Sequence, residues 1–196
     1  ITIGGADPAS LAPRERVLRV GLILQDPEAQ LAAPSVRSEL ALILENQAVE
    51  PRLIRAAVES TLKELGIAYL ADRRVHELSG GEKQLVAIAA FAVRPPSLLV
   101  LDEPGAYLDE ENRRRLYRFL QGMRESRPAL TMAFVEHRTE ELPAPEQVVQ
   151  LAEGRIELVA PGDLRQSSWG SSFPRLVRRR GEGAPLVRLK EAGFSW

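Results

Sequence analysis

The sequence predicts an α/β domain in which a parallel sheet is covered by helices. Residues 98–101 are entirely apolar and predict a short buried strand, and residues 130–135 predict a second one. Between them, residues 109–124 carry an apolar stripe with helical spacing, made of Leu116, Leu120 and Met123. A strand, a helix and a strand in this order form a βαβ unit, which makes the two strands parallel.

The remaining elements follow from the same patterns. Apolar runs predict strands at residues 1–5, 20–24, 147–152 and 155–159, the last two forming a hairpin. Helical spacing and proline or serine at the start predict helices at residues 34–45, 51–65 and 82–93. The second of these helices is predicted to end at Gly66. It presents one apolar face, which comprises Leu53, Ile54, Ala57, Val58, Leu62 and Leu65.

Composition excludes several classes of protein. The 26 Lys and Arg residues nearly balance the 27 Asp and Glu residues, so a generally basic nucleic-acid binder is excluded and we expect no nucleic-acid partner. The absence of Cys excludes a disulfide framework, a thiolate zinc site and a Cys nucleophile. The longest apolar run, residues 85–93, is far shorter than the ~20 residues of a membrane-spanning helix.

A serine and two glycines stand where the helix at 82–93 begins. Ser79, Gly80 and Gly81 open the segment Leu-Ser-Gly-Gly-Glu-Lys-Gln at residues 78–84. Backbone N–H groups at the positive end of a helix dipole bind phosphate oxygens, so this loop is a candidate phosphate site. An ordinary serine N-cap followed by glycines explains the same residues without a ligand.

Two carboxylates follow the strand at residues 98–101. Asp102 and Glu103 come at its carboxyl end, which is the edge where α/β sheets bind ligands. Asp102 offers the hard oxygen ligands that Mg²⁺ prefers, and Glu103 could polarise a water for attack on a phosphoryl group. A solvated strand end with an acidic turn is the alternative interpretation.

A histidine follows the next predicted strand. His137 could donate a hydrogen bond to a terminal phosphate, although a lone histidine is more often structural. His76 receives only the structural interpretation.

Together, in this order, the motifs resemble the nucleotide-binding domain of ABC ATPases. Residues 78–84 are similar to the signature loop of that family, and residues 98–103 to its Walker B strand with the catalytic glutamate. Residues 105–109 resemble the D-loop, although Gly105 and Tyr107 depart from its commonest residues. His137 is similar to the switch histidine and Gln25 to the Q-loop glutamine. The resemblance covers residues 1–160 and implies a P-loop NTPase fold with a helical subdomain.

The resemblance also implies ATP and Mg²⁺ as cofactors and a second ABC domain, in the same chain or in a dimer, as a partner. Two such domains sandwich two ATP molecules, and the signature loop of one domain contacts the ATP held by the other. The implied catalytic residues are Glu103 and His137. The implied metal ligands are Asp102 and Gln25, and the implied nucleotide contacts are Gln25, Ser79, Gly80, Gly81, Gln84, Asp109 and Trp196.

A narrower resemblance concerns residues 25–36. They are similar to the ATPase subunits of energy-coupling-factor importers, including the cobalt type, which take up vitamins or transition-metal ions. This implies ATP hydrolysis coupled to transport, a transmembrane coupling subunit as partner and a peripheral position at the cytoplasmic face of the cell membrane. A soluble tandem ABC ATPase of the translation-factor type and a non-catalytic regulatory ABC domain remain as alternatives.

The phosphate-binding Walker A loop requires a Gly-Lys pair, and this sequence has none. Its lysines are Lys63, Lys83 and Lys190, and none of them follows a glycine. We therefore expect the first strand and Walker A to lie upstream of residue 1.

The C-terminal part of the sequence suggests a second domain. Residues 161–185 are predicted to be a linker, and residues 186–196 resemble the opening strand of a second ABC domain, with Trp196 as its adenine-stacking aromatic. A tandem protein is the expectation, and a tail with an accidental aromatic is the alternative.

Two arginine clusters receive structural interpretations. We expect residues 113–115 to form a solvated face of their helix and residues 178–180 to belong to a solvated linker.

The missing Walker A loop has a direct catalytic consequence. Without its lysine and backbone cradle, the 196-residue chain should hydrolyse ATP very poorly, because phosphoryl transfer depends on positioning the phosphates. Phosphate release by the purified chain measures this, and robust turnover by the chain alone would contradict the expectation.

Overall fold

A computed structural model describes residues 2–3, 6–136, 148–152, 155–159, 174–177 and 187–188. The strands are β1 (Thr2–Ile3), β2 (Val20–Ile23), β3 (Leu98–Asp102), β4 (Thr131–Val135), β5 (Val148–Ala152), β6 (Arg155–Val159), β7 (Pro174–Val177) and β8 (Val187–Arg188). The α-helices are α1 (Pro13–Arg19), α2 (Val36–Glu45), α3 (Pro51–Glu64), α4 (Gly80–Ala92) and α5 (Glu110–Ser126).

The predicted βαβ unit is confirmed. β3 and β4 pair in parallel, from Leu98 opposite Thr131 to Asp102 opposite Val135, and α5 connects them. They are the inner strands of a four-stranded sheet with the order β2, β3, β4, β7. The predicted hairpin is also present, with β5 and β6 antiparallel.

The chain splits into two compact units. The first comprises Ile1–Leu22, Pro96–Asp102 and Arg127–Trp196. Within it, Ile3, Leu98 and Ala133 form a buried cluster against which Val20 and Val100 pack. The apolar strands thus supply the core of this unit, as parallel strands buried on both faces usually do.

The second unit comprises Ile23–Pro95 and Glu103–Ser126. It is helical, and α2 packs against both α3 and α4. The predicted stripe of α5 is buried, with Leu116 and Leu120 fully enclosed. Burying an apolar side chain of this size contributes about 1.5–3 kcal/mol, so the stripe of α5 stabilises the unit.

Two elements were absent from the sequence prediction. Helix α1 has only seven residues and no apolar periodicity; Pro13 at its first position and Glu15 in its first turn are its start signals. Strand β7 lies inside the predicted linker at residues 161–185, and it pairs antiparallel with β4. The two described residues of the predicted C-terminal strand form β8, which pairs antiparallel with β1.

Two expectations about side chains were wrong in part. Leu53 was placed on the apolar face of α3, but 60% of its surface is exposed. The three arginines at residues 113–115 were expected to form a solvated face of α5, but only Arg114 has an exposed side chain paired within the helix. Arg113 donates to the carbonyl of Leu108, and Arg115 donates to the carbonyl of Gly66 at 3.4 Å. Their long stems reach backbone carbonyls that the sequence pattern does not reveal.

Gly66 ends α3 as predicted. Its φ is +74°, the left-handed conformation that favours glycine, and a Cβ added there would lie 3.2 Å from Cδ of Arg115. Gly122, inside α5, is the opposite case, because apart from its chain neighbours and the backbone of α5 no atom of the described residues lies within 4 Å of a Cβ added there.

We therefore expect opposite effects from two glycine substitutions. Gly66→Ala should destabilise the chain by roughly 1–2 kcal/mol, the cost of a left-handed L-residue. Gly122→Ala should stabilise it by about 0.5–1 kcal/mol, because alanine favours the helix interior. Urea unfolding of both variants measures the difference, and equal shifts of the same sign would contradict the structural assignment.

Candidate functional site

The carboxyl end of β3 carries the two predicted carboxylates. Asp102 is the last residue of the strand, and Glu103 follows it with a φ of +45°. Such a φ is unusual for a residue with a side chain and costs about 1 kcal/mol or more. The turn directs the chain out of the sheet immediately after the strand, and both side chains remain half-buried.

Glu103 meets Gln25, which lies 78 positions earlier in the sequence. Nε2 of Gln25 donates a hydrogen bond to Oε2 of Glu103 at 3.1 Å, and Gln25 is otherwise exposed. Two residues that the sequence analysis assigned to the catalytic and metal site are therefore in direct contact.

Hydrogen bonds within the segment that carries Gln25 hold its two ends together. Residues 24–30, which we call the Gln25 loop, follow β2 directly. The Asp26 side chain caps the short 3₁₀ turn Pro27–Ala29 by accepting from the N–H of Glu28 at 2.9 Å. The N–H of Leu24 donates to Oε1 of Gln30 at 2.7 Å, which ties the two ends of the loop together.

The signature loop leads into α4 through a capping box. Ser79 is the N-cap, and its Oγ accepts from the N–H of Glu82 at 3.3 Å. In return, the Glu82 carboxylate accepts from the N–H of Ser79 at 2.9 Å and from its Oγ at 3.0 Å. The local geometry is the serine cap considered above, and the glycines that follow it lie in the first turn of α4.

Gly81 occupies a position where a side chain does not fit. A Cβ added there would lie only 2.8 Å from the backbone oxygen of Tyr107. At Gly80, an added Cβ would meet the ring of Tyr107 at 3.5 Å, an ordinary contact. The D-loop backbone therefore lies directly against the first turn of α4, and the exposed ring of Tyr107 flanks it.

Gln84 lies in the interior rather than at the surface. Its exposed fraction is 0%, and neither atom of its side-chain amide has a hydrogen-bond partner among the described residues. A nucleotide could contact Gln84 only if the packing around α4 opened. An unpaired buried amide costs about 1–3 kcal/mol, so this residue is a local source of instability.

Asp109 caps α5. One carboxylate oxygen accepts from the N–H of Asn112 at 2.8 Å, and the other accepts from Nδ2 of Asn112 at 2.9 Å. The backbone N–H of Asn112, above all, lowers the pKa of Asp109 below its ordinary value. The cap therefore stabilises the helix at neutral pH, and this contribution is lost as the pH falls through the lowered pKa.

Two predicted site residues, His137 and Trp196, lie outside the described residues. Within the described ranges, no group of three or more His, Cys, Asp and Glu side chains could hold a metal ion. In the same part of the chain, no helix has the length and apolarity needed to cross a membrane.

The sequence analysis missed three residues that the structure brings to this region. Tyr107 was noted only as a departure from the D-loop pattern, although it lies against the signature loop. Glu28 and Lys83 were not singled out, yet they form an ion pair between the Gln25 loop and α4. No local pattern signals a pair 55 positions apart in the sequence.

Comparison with known proteins agrees with this geometry. The model of the ABC transporter family matches residues 1–106, which include the Gln25 loop, the signature loop, β3 and Glu103. The chain is an ATP-binding domain of the ABC transporter family, with the α/β fold of P-loop NTPases.

Individual relatives are importer ATPases by name. The biotin transport ATP-binding protein BioM of Rhizobium etli is 35% identical over 161 residues, which cover 82% of this chain and 69% of BioM. The energy-coupling factor transporter ATP-binding protein EcfA1 of Symbiobacterium thermophilum is 36% identical, over 87% of this chain and 62% of EcfA1. The cobalt import ATP-binding protein CbiO of Syntrophus aciditrophicus is 32% identical, over 90% of this chain and 62% of CbiO.

A solved structure shares the fold. It is cbiO1 of Clostridium perfringens, described as part of the ABC transporter complex cbiONQ. The TM-score is 0.66 and the identity 32%, over 76% of this chain and 60% of that one. The chain thus spans roughly two thirds of the length of several relatives, and only 28% of a putative ABC transporter ATP-binding protein of Streptomyces avermitilis.

The close approach at Gly81 predicts a difference between adjacent glycines. Gly81→Ala should destabilise the chain by roughly 1–3 kcal/mol, because the new methyl group must displace the backbone of Tyr107. Gly80→Ala is the matched control in the same helical turn, and we expect its melting temperature to equal or exceed that of the wild type. Equal melting temperatures for the two variants would show that the D-loop does not lie against α4.

Proposed function

We propose that this chain belongs to the ATP-hydrolysing subunit of an ABC importer of the energy-coupling-factor type. The observation that carries the proposal is the hydrogen bond between Gln25 and Glu103 at the end of β3. It joins an amide and a carboxylate where α/β sheets bind ligands. Membership of the ABC transporter family and the names of the importer relatives support the proposal.

In this proposal, Glu103 accepts a proton from the water that attacks the terminal phosphate of ATP. A carboxylate positioned by a neighbouring amide is a suitable general base, and general-base catalysis contributes about 10²–10⁴-fold to a rate. The Gln25 amide orients the Glu103 carboxylate through the 3.1 Å hydrogen bond. The catalytic work of the chain is then to hold these groups in position.

The residues that the family resemblance assigns to the metal have the chemistry that Mg²⁺ prefers. Asp102 offers carboxylate oxygens and Gln25 offers an amide oxygen, both of them hard ligands. We assign these two residues to hold the ion, which would neutralise charge on the phosphates of ATP. Ser79, Gly80 and Gly81, at the start of α4, are proposed to contact the ATP of a second ABC domain, because the N-terminus of a helix favours phosphate groups.

The proposed partners are a second ABC ATPase domain and a transmembrane coupling subunit, with the chain peripheral at the cytoplasmic face of the membrane. His137, Trp196 and Asp109 keep their proposed roles at the nucleotide. The transported substrate is proposed to be a vitamin or a transition-metal ion, which is consistent with biotin and cobalt in the names of two relatives.

The test uses the protein assembled with the proposed second ABC domain. Glu103→Gln keeps the size and the hydrogen-bonding capacity of the side chain but removes the base. We expect ATP hydrolysis to fall by roughly 10²–10⁴-fold while ATP binding is retained. The matched control is Glu110→Gln, which removes an exposed carboxylate paired with Arg114 on α5 and should leave the rate unchanged.

The outcomes distinguish the remaining classes of function. No hydrolysis by the wild-type assembly, with ATP bound, would indicate a regulatory ABC domain instead. Hydrolysis that depends on Glu103, without co-purification of a transmembrane coupling subunit, would indicate a soluble tandem ATPase. Unchanged hydrolysis by Glu103→Gln would overturn the catalytic assignment.

A further inference from the structure

The Gln25 loop is held at two points that belong to different parts of the candidate site. At one point, Gln25 donates to Glu103, the proposed general base. At the other, the carboxylate of Glu28 accepts from Nζ of Lys83, which lies in α4 four residues after Ser79. The loop therefore connects Glu103 with the helix that carries the signature loop.

The contact with α4 is more than a surface ion pair. Only 13% of the Lys83 side chain is exposed, whereas 68% of the Glu28 side chain is exposed. The 3₁₀ turn Pro27–Ala29 also packs against α4, and Pro27 is buried. The Lys83 side chain is mostly enclosed and its ammonium group donates to Glu28, so this ion pair ties the Gln25 loop to the helix.

The loop itself is suited to carry a displacement from one end to the other. The bonds from Leu24 to Gln30 and from Glu28 to Asp26 close it internally, so residues 24–30 are tied to one another. A shift of Glu28 with α4 therefore displaces the backbone that carries Gln25. A displacement of about 1 Å in a positioning group can cost a reaction as much as 10²-fold in rate.

We propose that Lys83 and Glu28 are positioning residues for ATP hydrolysis, coupling the signature helix to the Gln25–Glu103 pair. When α4 is in its observed position, Lys83 keeps the Gln25 loop in place and the Gln25 amide holds the Glu103 carboxylate. When ATP of the second domain shifts the start of α4, Lys83 transmits that shift to the general base. This inference rests on the proposed function.

The test uses the protein assembled with the proposed second ABC domain. Glu28→Gln and Lys83→Met each remove one charge, and methionine keeps the apolar stem of lysine. We expect kcat for ATP hydrolysis to fall by about tenfold or more while KM for ATP stays unchanged, because the proposed phosphate contacts remain. The double variant Glu28→Lys with Lys83→Glu restores an ion pair of opposite polarity and should recover part of the lost rate.

The matched control is the ion pair between Glu110 and Arg114, which is exposed on both sides and lies on α5 alone. Glu110→Gln and Arg114→Met should leave both kcat and KM unchanged. Melting temperatures of all variants identify any that fail to fold. Because the Glu28 side chain is mostly exposed, Glu28→Gln carries the test if Lys83→Met unfolds.

A second readout separates this inference from the proposed function, since it needs no hydrolysis. Hydrogen exchange at the N–H of Leu24, which donates to Gln30, reports whether the loop is held. Exchange should be faster in Glu28→Gln than in wild type and unchanged in Glu110→Gln. Wild-type protein without ATPase activity would overturn the proposed function only. Unchanged kcat and unchanged exchange in both charge variants would overturn the coupling and leave the proposed function intact.

Discussion

The left-handed backbone of Glu103 is the constraint on which the candidate site depends. β3 is a buried apolar strand, and a residue in an ordinary conformation after it would tend to continue the extended chain. The φ of +45° turns the chain at once, and in this arrangement the carboxylate accepts from Gln25. A strained conformation of this kind persists only where its surroundings hold it, and such strain is typical of functional sites. The Gln25 loop, held on α4 by Lys83, is one of those surroundings.

Much of the fold could be predicted because hydrophobic patterning decides it. The strand at residues 98–101 is apolar throughout and residues 130–135 are apolar apart from Thr131, so a buried parallel pair followed from composition and spacing alone. Gly66 ended α3 as expected, because its conformation is a local requirement. Helix α1 and strand β7 were missed because they are short, and their structure depends on partners distant in the sequence. The exposure of Leu53 likewise depends on which neighbours α3 has, and periodicity does not encode them.

The candidate site was predictable as a set of residues but not as a set of contacts. Ser79, Asp102 and Glu103 stand out because their residue types follow local rules for helix starts and strand ends. The hydrogen bond from Gln25 and the ion pair of Lys83 join positions far apart, and only the folded chain brings them together. Gln84 differs from the others, since the motif suggests a ligand contact and the structure buries its side chain within the helical unit. Local patterns thus indicate candidate residues, whereas the contacts between them depend on the folded chain.

Gly105 limits the order in which this chain could change during evolution. A Cβ at this position would lie 2.8 Å from Cδ of Arg113 and 3.1 Å from the hydroxyl of Tyr117. Every other residue type carries a Cβ here, so its introduction requires the present neighbours to move. Arg113 in turn donates to the carbonyl of Leu108, inside the D-loop. A substitution at residue 105 is therefore easier to accept once the Arg113 side chain has moved or has been replaced.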